Sequence, residues 1–202
     1  MENGEKRVVT RYYIAGGIYA TKWTVIDGYY YYFSKPYDYI DKPDDGAMYR
    51  LGTFTIRTPG ANSLRKFTFD FDGRLTNGCW EDDKDIDGQY VGTRYYWGPN
   101  YVTGERTIDG VNHTFDDRGY VISKDISDLS VSYEETAVLT SKPVTPSVTV
   151  TDGDVTLKDK VHYNLSYENN QALGTGTIII TGNEKRGYTG DFLHRNDRRK
   201  AL

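Results

Sequence analysis

The sequence predicts an all-β protein, with an N-terminal, solenoid-like array of short hairpins followed by a C-terminal β-sandwich. Three observations carry that expectation. Tyrosine is abundant, 19 of 202 residues, and 15 of these precede Lys124 together with all three tryptophans. Asp-Gly pairs punctuate the aromatic half at short intervals. After Asp125 the chain turns to Val, Thr, Ser and Ile with period-two alternation, the signature of half-buried strands.

The hairpins follow from the turn residues. Ile-Asp-Gly occurs at Ile26-Asp27-Gly28, Ile86-Asp87-Gly88 and Ile108-Asp109-Gly110. Asp-Gly suits a two-residue type I′ loop, because both central residues need positive φ. The first and third copies lead into strands ending in phenylalanine, VIDGYYYYF (25–33) and TIDGVNHTF (107–115). A second token also recurs. Phe71-Asp72-Gly73-Arg74-Leu75 resembles Phe115-Asp116-Asp117-Arg118-Gly119-Tyr120-Val121, with a looser copy at Asp44-Asp45-Gly46-Ala47-Met48. Tyr95-Tyr96-Trp97-Gly98-Pro99-Asn100-Tyr101-Val102 adds a strand, a Gly-Pro-Asn corner and a strand. One hairpin cannot bury its own aromatic face, so such units are expected to stack as an array.

The sandwich follows from SVTVTDGDVTLKDKVHYNLSYENNQALGTGTIIITG (147–182). Val148 and Val150 form one face, Val161, Tyr163, Leu165 and Tyr167 another, and Ile178 and Ile180 a third. Asp152-Gly153, Asn169-Asn170 and Gly182-Asn183 supply the turns. A closing strand from Phe192 is expected to be short. The basic run that ends the chain reads as frayed or foreign, the mark of a truncated or artificially bounded product.

Composition excludes several functions. The net charge is −4 and the pI about 5.4, with no concentrated basic run before the last residues, which argues against nucleic acid as a partner. No apolar run approaches the roughly 18 residues needed to span a bilayer. MENGEKRVVTRYY has no apolar segment of the signal-peptide kind. The single cysteine, Cys79, forms no internal disulfide and reads as a small hydrophobe near a turn. His113, His162 and His194 have no zinc-site spacing, and there is no phosphate loop, nucleophile elbow or cofactor motif. The acidic residues sit at turns, where they bond their own backbone. The expectation is a non-catalytic protein.

One stretch imitates a metal site. In Asp82-Asp83-Lys84-Asp85-Ile86-Asp87-Gly88, counting from Asp83, the residues read as the first half of an EF-hand loop. Position 12 is then Arg94 instead of the bidentate glutamate, and the flanks are aromatic and turn-rich instead of helical. The expectation is a solvated hairpin connection, ending in the same Ile-Asp-Gly turn as its two namesakes, with no metal.

Two resemblances add to this reading. Thr93–Ile122, TRYYWGPNYVTGERTIDGVNHTFDDRGYVI, resembles the choline- or glucan-binding type of cell-wall-binding repeat found in Gram-positive surface proteins. The match is specific over 69–122, weaker over 23–51 and poor over 52–66. SKPVTPSVTV, HYNLSYENN, GTGTIIITG and Tyr188-Thr189-Gly190 resemble a bacterial immunoglobulin-like domain of secreted and surface proteins of Firmicutes. The resemblances imply repeats over 1–124 and an immunoglobulin-like β-sandwich over 125–202, the latter a spacer.

They also imply a site made of rings: Trp23, Tyr30, Trp80, Tyr95, Tyr96, Trp97 and Tyr101. In choline-binding relatives such rings box a quaternary ammonium by cation–π attraction, and in glucan-binding relatives they stack on sugar faces. Here Lys22 replaces the glycine before Trp23, Cys79 separates Gly78 from Trp80, and Glu105 follows Gly104 where tryptophan is expected. Asn112-His113-Thr114 replaces an aromatic run, so no choline cage forms in the last unit. Core packing, sugar stacking and choline binding all remain open for the other rings. The implied partners are cell-wall polysaccharide, teichoic-acid choline or another glycan, at an extracellular location. The alternatives are a structural or adhesion stalk with degenerate repeats, and an accessory region of a cell-wall hydrolase.

Overall fold

In the computed structural model the residues described are 9–34, 46–57, 64–134, 136–138, 143–172 and 174–199. The turn expected at Asp44-Asp45 lies outside them. Among the described residues the protein is nearly all β, in small, mostly antiparallel sheets, with two single 3-10 turns as its helical content. The chain forms two compact units, 1–81 with 95–102, and 82–94 with 103–202.

The first unit opens with a hairpin of β1 (Lys22–Ile26) and β2 (Tyr29–Phe33). Its loop is Asp27 at φ 50° and Gly28 at φ 81°, the two positive values that a type I′ turn requires. Phe33 also bridges to Met48, which gives the hairpin a third edge. A three-stranded sheet follows, of β3 (Gly52–Arg57), β4 (Leu64–Phe69) and β5 (Leu75–Asn77). Of a further sheet, β6 (Cys79–Lys84), β7 (Tyr90–Trp97) and β8 (Asn100–Tyr101), residues 79–81 and 95–101 belong to this unit. The first-unit core is largely aromatic: Tyr32, Tyr49, Phe67, Phe69 and Tyr96, completed by Ile56 and Leu75. Cys79 packs against this cluster, as expected of a small hydrophobe.

The second unit begins with β9 (Gly104–Ile108), β10 (Val111–Phe115) and β11 (Val121–Ile122) in one sheet. Asp109 at φ 51° and Gly110 at φ 86° repeat the type I′ loop. Next come β12 (Lys124–Asp125), a 3-10 turn at Ile126–Asp128, β13 (Ser130–Tyr133) and β14 (Thr136–Val138). β15 (Val148–Asp152) and β16 (Val155–Thr156) form a hairpin whose loop opens on Gly153 at φ 58°. β17 (Tyr163–Glu168), β18 (Gly174–Gly182), β19 (Tyr188–Thr189) and β20 (Asp191–Arg199) complete the chain.

One sheet has the order β13-β15-β16 and another β14-β20-β18-β17, while β12 pairs parallel with β19. Val150 of the first sheet shares a buried cluster with Tyr163, Ile178 and Ile180 of the second, joined by Val111, Ile126, Leu157 and Tyr188. The alternation read from Val148-Val150 and Ile178-Ile180 therefore marks the core side of each strand. Val161 departs from that reading. It is exposed in the turn before β17, where its amide bonds to the Lys158 carbonyl.

The closing strand also departs from expectation. β20 is nine residues long and lies inside its sheet, pairing antiparallel with β18 from Thr181↔Asp191 to Gly174↔Arg198. Its far half also pairs, parallel, with β14. The polar run of β20 conceals a strand whose backbone bonds are made on both sides, so side-chain hydropathy under-reads its length.

Candidate functional site

The turns set the positions of the rings, and they fall into two classes. Asp27-Gly28 and Asp109-Gly110 are the two-residue loops described above. The other class has Asp at its first position and Gly at its fourth: Asp70/Gly73, Asp85/Gly88 and Asp116/Gly119. In each, the glycine N–H donates to the Asp carbonyl at 2.9–3.1 Å. In each, the Asp carboxylate also accepts the N–H four residues on, from Arg74 at 2.8 Å, Gln89 at 2.8 Å and Tyr120 at 2.7 Å. The glycines lie at φ 80–82°, as the left-handed fourth position demands.

Ile86-Asp87-Gly88 thus belongs with Asp70 and Asp116, and not with the other Ile-Asp-Gly tokens. The expectation of one shared turn fails because Asp85, one residue upstream, supplies the capping carboxylate.

The acids before that turn are not merely solvated either. Asp82 accepts from Thr93 Oγ1 at 2.8 Å and pairs with Lys185 Nζ. Asp83 pairs with Arg94 and accepts from the Tyr120 hydroxyl at 3.1 Å. Partial burial pulls the Asp82 pKa upward, but the bonds from Lys185 and Thr93 outweigh it and hold Asp82 below the usual carboxylate range. Arg94, which spoils the EF-hand count, is the counter-charge of Asp83, as Lys185 is of Asp82. Among the described residues no group of three His, Cys, Asp or Glu side chains is placed to hold a metal ion.

Expected site rings meet in pairs: Trp23 with Tyr30, Trp80 with Tyr95, and Tyr96 with Tyr101. Trp23 is half-buried and ringed by Tyr30 at 6.3 Å, Tyr32 at 5.2 Å, Phe67 at 4.9 Å and Phe69 at 5.9 Å between centroids. Its indole Nε1 is buried without a hydrogen-bond partner. Trp80 lies against Tyr95, 5.0 Å away and tilted by 60°. Tyr95 is buried, and its hydroxyl accepts from the Gly78 amide at 2.8 Å and donates to Asn77 at 3.0 Å. A Cβ at Gly78 would fall 2.2 Å from the Tyr96 carbonyl oxygen, so only glycine permits this approach. Tyr96 is buried and meets Tyr101 edge-on at 6.3 Å.

The remaining rings surround one turn. Trp97 pairs with Asn100 across the Gly98-Pro99 corner, and Tyr96 with Tyr101. The Tyr30 ring lies 3.1 Å from the position a Cβ on Gly98 would take, so the corner seats directly on that ring. Asn100 Nδ2 donates to the Tyr30 hydroxyl at 3.4 Å. Tyr30 and Trp97 are half-buried and Tyr101 is 44% exposed. The corner thus carries rings on both faces of its ribbon, Trp97 beside Asn100 on one and Tyr101 beside Tyr96 on the other, and with the amide and phenol hydroxyls it can offer apolar faces and hydrogen bonds together.

Arginine is the feature that sequence reasoning missed. Arg65 Cζ stands 3.6 Å from the centre of the Tyr96 ring, and Arg74 Cζ 4.6 Å from that of Tyr29. In the second unit, Arg94 and Arg118 lie 4.3 and 5.0 Å from the centre of Tyr120. The excess of arginine among aromatic hairpins was visible in the sequence, but their pairing depends on register.

No family model matches the sequence. No curated protein matches it either. Solved structures with partial likeness include choline-binding protein F from Streptococcus pneumoniae, at 19% identity and TM-score 0.25, covering 58% of this chain and 39% of that one. CbpJ from Streptococcus pneumoniae is 17% identical with TM-score 0.23, covering 61% and 57%. An alternansucrase in complex with isomaltononaose is 17% identical with TM-score 0.28, covering 80% and 12%. The chain thus spans less than two thirds of the length of each of these proteins.

Proposed function

We propose that the chain is a non-catalytic part of an extracellular Gram-positive protein, secreted or held at the cell surface, that binds cell-wall polysaccharide or another glycan through its aromatic hairpins. The observation that carries this reading is the surface around Gly98-Pro99-Asn100. Sugars present apolar C–H faces edged with hydroxyls, and they are recognised by aromatic planes with a few placed polar groups. Tyr30 and Trp97 supply planes on the Asn100 side of the corner and Tyr101 a plane on the other, and the Asn100 amide supplies polarity. Trp80 adds a further half-buried ring, Trp23 lies against Tyr30, and the buried Tyr95 and Tyr96 back Trp80 and Tyr101.

In this proposal residues 1–124 form the binding repeats and 125–202 an immunoglobulin-like spacer. Two sheets sharing one core, with the parallel β14–β20 edge pair, support the spacer reading. A glycan pull-down with the whole chain tests the binding half. Retention should fall for Trp97→Ala and Trp80→Ala, and undiminished retention of both contradicts ring stacking.

A structural or adhesion stalk is the second reading, favoured by the enclosure of Trp23 among four rings. In that case Trp23→Ala unfolds the first unit, while no ring substitution on the Gly98 turn changes retention.

A further inference from the structure

We infer that Arg65 is a built-in ligand of the first unit: its guanidinium fills a cation-binding site formed by the Tyr96 ring and the Glu81 carboxylate, and so closes that site to external quaternary ammonium groups. Arg65 is 5% exposed, lies 3.6 Å from the ring centre and pairs through Nε with Glu81. A buried electron-rich ring face and a half-buried carboxylate are groups that attract a small organic cation strongly. A free quaternary ammonium would need the same space over the ring, and Arg65 occupies it at covalent effective concentration.

The chain sets up this occupancy by register. Arg65 on β4 pairs with Ile56 of β3, and its neighbour Phe67 is fully buried, so strand alternation turns Arg65 to the same side as the core. Glu81 on β6 approaches from a different hairpin, so the cation joins two repeats of one unit. A charge so withdrawn from water is stable only with its partner present. The arginines over Tyr29 and Tyr120 show the same device nearer the surface. The Tyr96, Tyr29 and Tyr120 faces are therefore ligated from within.

Thermal unfolding of the whole chain tests this without reference to glycan retention, so either proposal can fail alone. Choline chloride should leave the midpoint of the parent chain where sodium chloride leaves it. Arg65→Ala should melt lower, and choline or methylguanidinium should raise its midpoint by about 2–4 °C beyond the sodium chloride control. The gain should vanish in Arg65→Ala/Tyr96→Leu. Equal response of Arg65→Ala to choline and to sodium chloride overturns the inference. If Arg65→Ala does not fold, successive ring fluorination of residue 96, introduced as phenylalanine analogues, decides. The midpoint should fall with each fluorine, and a flat series overturns it.

Discussion

Arg65 stands over the face of Tyr96, 31 positions away in sequence, and is held there by Glu81. That relationship explains how an arginine sits inside a core of tyrosine and phenylalanine: the ring and the carboxylate replace the water it gave up. It also makes Glu81 a structural residue although it lies beside an acidic turn. Glu81→Gln should lower stability by about 1–3 kcal/mol, because Arg65 keeps its charge and loses its counter-charge. Urea unfolding monitored by tryptophan fluorescence measures this, and an unchanged midpoint would show that Arg65 is solvated by other groups.

The capping aspartates should differ in weight. Asp116 accepts from the amides of Arg118 and Tyr120, and the turn delivers Tyr120 to Asp83 and Arg94. Asp116→Ala should cost about 1–2 kcal/mol. Asp85 makes the equivalent bonds in an exposed turn with Ile86 fully outside, so Asp85→Ala should cost less than half as much. Equal losses in chemical denaturation would contradict this ordering.

Acid should loosen the second unit through His113. Its imidazole is 6% exposed, and burial, with repulsion from His162 and Lys124, depresses its pKa from 6.5 to about 4. The unfolded chain therefore binds a proton that the folded one refuses. This stability is fully present above pH 6.5 and is lost as pH falls toward 4, by up to about 3 kcal/mol. Burial and Lys158 shift His162 in the same direction. His113→Gln should flatten the fall in urea midpoint between pH 7 and pH 4.5. An identical fall in both proteins would remove His113 from the account.

Much of this was readable from residue order. The Asp27-Gly28 and Asp109-Gly110 turns were legible because their geometry depends on two adjacent residues. Val150, Ile178 and Ile180 were legible because alternation reports burial directly. The turn at Gly88 was misassigned because its class depends on Asp85, outside the tripeptide. β20 was underestimated because its order comes from two neighbouring strands instead of its own apolar content. The aromatic candidates could be picked out by residue type, but their division into buried and half-exposed rings depends on which hairpin face meets another. Arg65–Tyr96 and Tyr30–Gly98 are long-range pairings of that kind, invisible until register is fixed.

The central claim is that half-exposed rings around the Gly98 turn hold a glycan. Its most direct measurement is the equilibrium retention of the whole chain on insoluble cell-wall polysaccharide, compared with Trp97→Ala and Tyr101→Ala, with folding checked by circular dichroism. The account predicts about a tenfold loss for each folded variant, the value of one stacked ring. Retention equal to that of the parent chain in both folded variants would contradict it.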